Sequence, residues 1–197
     1  QVQVKPPNGS VKTVAATYKM RVKKKYAGIN SYAFTATATR LSPGTRYSYR
    51  IVTSGGSTSW AAFTTARAGL DSTWTFLAFG DTQVKNAGVP EDIIDTAVGR
   101  YPAAPVLHAG DVVNKPNSIT QWREFMAATY PTRTTKNWLI SIGNHEQCVL
   151  LKKCSSGDGH AFRSYYTWPR NGVAKQGATS YYTDYQGVRF IVLDTFG

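Results

Sequence analysis

The first seventy residues contain no aspartate and no glutamate, against eleven lysines and arginines. Residues 71–197 hold twelve basic and eleven acidic side chains, so the net charge of +12 belongs to the first third of the chain. That asymmetry argues for two modules. The chain has only two cysteines and three histidines. With no Cys-x-x-Cys spacing, a structural zinc site of the four-cysteine kind is not expected. No apolar run approaches the roughly 18 residues that a membrane-spanning helix needs. Gln1-Val2-Gln3-Val4 reads as mid-strand sequence and not as a signal peptide. Internal repeats and low-complexity tracts are absent. What is present is a hydrophobic content of 42%, ample for a buried core.

A basic module attracts polyanions such as nucleic acid or anionic glycans. Lys23-Lys24-Lys25 can equally protect an exposed strand edge from aggregation. Cys148 and Cys154, six positions apart in a loop, are expected to close a small disulfide. That pairing would place the chain in an oxidising, extracellular setting, the alternatives being two free thiols or part of a metal site. Asn8-Gly9-Ser10 fits a glycosylation acceptor, a triplet frequent by chance.

Residues 1–66 read as β-structure. Ser31 to Arg40 alternates, with Tyr32, Phe34, Ala36 and Ala38 on one face and threonines on the other. Leu41 to Thr45 is a turn, Tyr47 to Val52 the next strand, Ser54-Gly55-Gly56-Ser57 a hairpin turn and Ser59 to Thr65 a closing strand. Ala66 to Ser72 is the expected linker. Beyond it, Trp74–Phe79, Val106–Ala109 and Trp138–Ile142 read as strands. Between them, Pro90–Arg100 reads as a helix with Ile93, Ile94, Ala97 and Val98 on one face. A second helix, started by a capping box at Ser118 and Gln121, buries Trp122, Phe125 and Met126. Alternating strands and helices make a layered α/β domain. Phe162 to Pro169 is expected to be a packed irregular segment, and Ser180–Tyr185 with Val188–Asp194 a hairpin around Gln186-Gly187.

Each of the three α/β strands is an apolar run, broken by glycine, with an oxygen donor immediately after it: Gly80-Asp81, Gly110-Asp111 and Gly143-Asn144-His145-Glu146. Uninterrupted apolar runs suit parallel strands buried on both faces. Ligands of such sheets bind beyond the carboxyl ends of the strands. A cation site built from Asp81, Asp111 and Asn144 is the expectation, although either aspartate taken alone also fits a turn or helix cap. His145 follows a ligand, and an imidazole titrating near neutrality suits proton transfer. His108 lies on the strand itself, as a core residue or a support behind the ligands. His160, in a loop with Gly157, Asp158 and Gly159, is either solvated or a substrate contact.

The ordered triad of motifs resembles the calcineurin-like metallophosphoesterases, and most nearly their purple acid phosphatase-like branch, in which a fibronectin-type β-sandwich precedes the catalytic domain. Leu41-x-Pro43-Gly44-Thr45-x-Tyr47-x-Tyr49 similarly resembles the tyrosine corner of fibronectin type III sandwiches. The resemblance implies a partial sandwich over residues 1–68 and the first half of a phosphoesterase domain over 69–197. It also implies truncation at both ends, because a full sandwich needs about seven strands and the family's later histidine motifs have no counterpart here. The implied activity is phosphoester hydrolysis by a hydroxide activated between two metal ions. Asp81 would bind one ion, Asp111 would bridge, Asn144 would bind the second and His145 would act on the phosphate or leaving group.

Two positions depart from that pattern. Gln83 stands where most of the superfamily has a histidine, and offers a weaker oxygen. Asn114 stands where the purple enzymes have a tyrosine ligand, so iron, zinc, manganese and magnesium are all open as the metals. The substrate is expected to be a phosphate monoester, with a phosphodiester next. A non-catalytic protein that binds anionic polymers or assembles through the same fold is the reading from another class. A secreted protein with no membrane span is the expected setting.

Overall fold

The computed structural model describes residues 1–69, 73–83, 89–102, 104–147, 159–173 and 179–195. For residues 89–91 it describes the backbone alone. The amino-terminal part holds Val2–Lys5 (β1), Lys12–Val14 (β2), Thr17–Val22 (β3), the short helix Lys24–Ala27 (α1) and Ser31–Thr35 (β4). It continues through Arg46–Thr53 (β5), Gly56–Ser57 (β6) and Ala61–Thr64 (β7). Strands β2, β1, β5 and β6 lie in that order, with β7 also paired to β5, and every pairing is antiparallel. Strands β3 and β4 form a separate two-stranded sheet. The tyrosine corner is present: the Ser42 N–H donates to Tyr47 Oη at 2.9 Å, and the Tyr47 ring is buried and stacked on Phe63.

The strand expected over Ser31–Arg40 ends at Thr35. The aromatic face of the β3–β4 pair is turned outward, with Tyr18 59%, Tyr32 65% and Phe34 62% exposed. The opposite face goes inward instead. Val22 and Ala27 are buried in one cluster with Val112, Trp122, Phe125, Ile140 and Phe162, and Ile29 and Ala33 pack against it. Residues 17–35 therefore share a core with the α/β part.

That part contains Leu77–Phe79 (β8), Val89–Arg100 (α2), Val106–His108 (β9), Ile119–Ala128 (α3), Tyr130–Arg133 (α4) and Trp138–Ile140 (β10). Asn144–Gln147 (α5), His160–Tyr165 (α6), Tyr181–Tyr185 (β11) and Val188–Val192 (β12) follow. Strands β10, β9 and β8 make a parallel sheet in that order. The fully buried Val106 and Ile140 account for its apolar runs. On α2, Ala97 and Val98 pack inward beside the buried Ile94, whereas Ile93 is exposed, against expectation.

Ser118 caps α3 by accepting the Gln121 N–H at 3.4 Å. The reciprocal bond of a capping box is not made, because Gln121 Oε1 accepts the Lys115 N–H at 2.7 Å. Residues 160–165, expected to be irregular, form α6 and bury Ala161, Phe162 and Ser164. Gln186 and Gly187 both take positive φ, 47° and 78°, as a tight β11–β12 turn requires. Among the described residues no helix is long and apolar enough to cross a membrane.

Candidate active site

Asp81, Asp111 and Asn144 stand just past the carboxyl ends of β8, β9 and β10, three adjacent parallel strands. The expected ligands thus share one edge of one sheet. Hydrogen bonding of the ladder continues into the loops: Ala109 N–H to Phe79 O at 2.8 Å, Asp81 N–H to Gly110 O at 3.1 Å and Ser141 N–H to His108 O at 2.8 Å. Both aspartates adopt the left-handed region, with φ 54° at Asp81 and 56° at Asp111. Aspartate tolerates that region better than most residues, and each turn throws the carboxylate out of the strand direction. A non-glycine residue held there costs of order 1 kcal/mol and persists only where its surroundings enforce it.

Asp111 Oδ1 accepts the His145 N–H at 3.0 Å, joining the second loop to the third. Gly143 is confined at the same point, since a Cβ there would collide with the Asp111 carboxylate and backbone nitrogen. Only glycine lets the third loop approach so closely. The His145 Nδ1 lies 3.0 Å from the Asn114 carbonyl oxygen. A carbonyl can only accept, so Nδ1 carries a proton and donates it to Asn114.

The structure assigns two further roles. Glu146 is 1% exposed and accepts four backbone N–H groups: Asp111 and Gly143 at 2.9 Å on Oε2, Val112 at 2.9 Å and Val113 at 3.1 Å on Oε1. Burial pushes its carboxyl up to about 7, against the N–H donors, which pull it down. His108 is a core residue, 2% exposed, clustered with Phe125 and Trp138 at 5.9 and 6.3 Å. Its Nδ1 accepts the Gly110 N–H at 3.2 Å, which leaves the proton on Nε2 to donate to Thr82 Oγ1 at 2.8 Å. Burial lowers its pKa to about 4. The Gly-Asn-His-Glu string contains Glu146, but its bonds depend on Val112 and Val113 turning their N–H groups inward, which no local pattern announces.

His160 is not a solvated loop residue. It opens α6, its ring lies 4.8 Å from Tyr26, and its Nε2 accepts the Lys23 N–H at 3.3 Å. Gln83 follows Asp81 by two residues and is partly buried. Cys148 and Cys154 lie outside the described residues. A cleft of about 610 Å³ opens elsewhere, lined by Phe63, Thr65, Pro105, Asn137 and Tyr185 beside the amino ends of β9 and β10. Asp81, Asp111 and Asn144 follow the opposite, carboxyl ends of the strands.

As ligands, two carboxylates and an amide suit hard divalent ions in kind. They fall short in number: among the described residues no three His, Cys, Asp or Glu side chains gather as a metal group. A family model for calcineurin-like phosphoesterases matches residues 75–196. The chain belongs to the calcineurin-like phosphoesterase family. Its kin in sequence and fold include purple acid phosphatases. A protein of Arabidopsis thaliana named "Probable inactive purple acid phosphatase 27" is 26% identical over 188 residues, covering 83% of this chain and 30% of that protein. The solved structure of purple acid phosphatase PPD1 from yellow lupin superposes with a TM-score of 0.76 at 18% identity, over 96% of this chain and 38% of the lupin chain. The structure of PhoD does so at 0.59 and 16%, over 84% of this chain and 41% of its own. This phosphoesterase chain therefore spans less than half the length of each.

Proposed function

We propose that the protein to which this chain belongs is a metal-dependent phosphoester hydrolase acting on phosphate monoesters. The observation that supports it most directly is the arrival of Asp81, Asp111 and Asn144 at one edge of three adjacent parallel strands, with His145 hydrogen-bonded to Asp111. Two divalent ions bound there would supply a hydroxide nucleophile at neutral pH and neutralise charge on the phosphoryl group. In this reading Asp81, Asp111 and Asn144 would hold the ions, with Gln83 as a further, weaker oxygen donor. His145, oriented through Nδ1, holds Nε2 toward the phosphoryl oxygens or the leaving group. Donors that complete the set are proposed to lie beyond the described residues. The amino-terminal sheet with its tyrosine corner is read as part of a fibronectin type III-like sandwich. An extracellular setting is inferred with it, and a Cys148–Cys154 disulfide would support that setting.

A second reading is favoured by the sequence relative named as probably inactive and by Gln83 and Asn114: a phosphoesterase fold used without turnover, to hold anionic polymers on the basic first third. Assay of p-nitrophenyl phosphate hydrolysis with manganese or zinc separates them. The 197-residue chain is expected to be nearly inactive. The chain extended to the length of its relatives is expected to turn over, and His145→Ala in it should keep metal and lose most of the rate. An extended chain that binds metal and does not turn over would support the second reading.

A further inference from the structure

We propose that His108 and Glu146 are positioning residues that lock the three strand-end loops into one frame, and so set the spacing of Asp81, Asp111 and Asn144. The inference rests on the metal-site reading above for its purpose, though not for its geometry. Because Asp111 turns into the left-handed region, the N–H groups of Asp111, Val112 and Val113 leave the sheet ladder. Val112 and Val113 are wholly buried, so water cannot satisfy them. One carboxylate collects all three, and the same Oε2 also takes the Gly143 N–H from the next loop. Burying a carboxylate is costly unless every lone pair is used. Here four N–H groups use them, from two loops at once.

His108 makes the corresponding link on the other side. Its two ring nitrogens join Gly110 of the second loop to Thr82 of the first, the residue after Asp81. A phenyl ring could fill the same space beside Phe125 and Trp138, but it would leave both partners unbonded. First loop to second through His108, second to third through Glu146: the connection runs across the whole edge. Such a frame matters because ligand constellations function only when held to within about 0.5 Å of their geometry. It also explains how two aspartates stay in a strained conformation.

The test uses Glu146→Gln, in which an amide nitrogen faces two N–H donors, and His108→Phe. Thr129→Val serves as control, because Thr129 is buried where α3 passes into α4 and its hydroxyl donates to the Phe125 carbonyl of its own helix. Thr82→Val, at a half-buried position, cuts the His108 link without entering the core, so the test survives if a core variant does not fold. Two readouts are needed: amide hydrogen exchange in the metal-free protein over residues 106–115 and 139–147, and Mn²⁺ affinity by paramagnetic titration. Faster exchange at Asp111–Val113 and Gly143 is expected in Glu146→Gln, and at Gly110 in His108→Phe and Thr82→Val. Mn²⁺ affinity should fall about 10–100-fold in each, while Thr129→Val at matched loss of global stability leaves both readouts unchanged. Folded variants with protected loops and unchanged Mn²⁺ affinity would overturn the proposal. Failure of Mn²⁺ to bind even the chain extended to the length of its relatives would count against the metal reading, and exchange alone would then decide whether the frame exists.

Discussion

His108 spends its life neutral. Buried against Phe125 and Trp138, it has a folded pKa of about 4, well below the ordinary 6.5. The unfolded chain therefore binds more protons than the folded one between those values. The contribution of His108 is fully present above pH 6.5 and is lost as pH falls toward 4. Glu146 works the other way. With its carboxyl raised to about 7, the folded state binds the extra proton, and stability is lost as pH rises from the ordinary 4.5. The two slopes oppose each other through the mildly acidic range, so the isolated effect is seen by comparison with His108→Gln, which keeps an acceptor and a donor. Urea unfolding at pH 7.5, 6.0 and 5.0 should show the stability advantage of the native residue shrinking by up to about 1.4 kcal/mol per pH unit below 6.5. Parallel pH profiles for the two proteins would contradict it.

Among the elements, β8, β9 and β10 were readable because three signals coincide in them: an apolar run, a glycine and a ligand-type residue. The neighbouring helices were not. α5 has four residues and α6 six, too short for a 3.6-residue period to show. Alternation in β4 separated two faces of the strand but could not say which is inside. The inward face carries Ala33, which packs against the α/β core, while Tyr32 and Phe34 stay exposed. The tyrosine corner carries its own test. Tyr47→Phe keeps the ring stacked on Phe63 and deletes the acceptor of the Ser42 N–H. A loss of about 1 kcal/mol is expected, read by chemical denaturation, and no loss would mean that the turn from Leu41 to Thr45 holds without it.

At the scale of the molecule, the charge boundary near residue 70 does not coincide with a packing boundary. Val22 and Ala27 belong to the cluster that contains Trp122 and Phe162. Tyr49 Oη reaches the Thr134 carbonyl at 2.9 Å, and Lys19 Nζ donates to the Tyr166 carbonyl. Composition records where charge sits, not which side chains meet, so the shared core was invisible in it. Some of the basic charge is also engaged locally, with Lys5 and Arg50 over the Trp60 ring at 4.6 and 4.7 Å. Unfolding of the whole chain is expected in a single transition, and Val22→Ala should lower its midpoint with a cost of about 2 kcal/mol. Calorimetry resolving two transitions, only the first moved by the substitution, would show that the two parts fold independently.

That common core bears on how such a protein can change over generations. Where two domains meet only through a linker, recombination can exchange one for a homologous copy and leave the other working. Here an incoming amino-terminal segment must also bring a residue the size of Val22 and one as small as Ala27 to fit against Trp122 and Phe162. Crossovers placed at the linker would break that fit, whereas crossovers that carry residues 17–35 together with α6 would preserve it. The hairpin that looks like part of the first module is inherited, in effect, with the second.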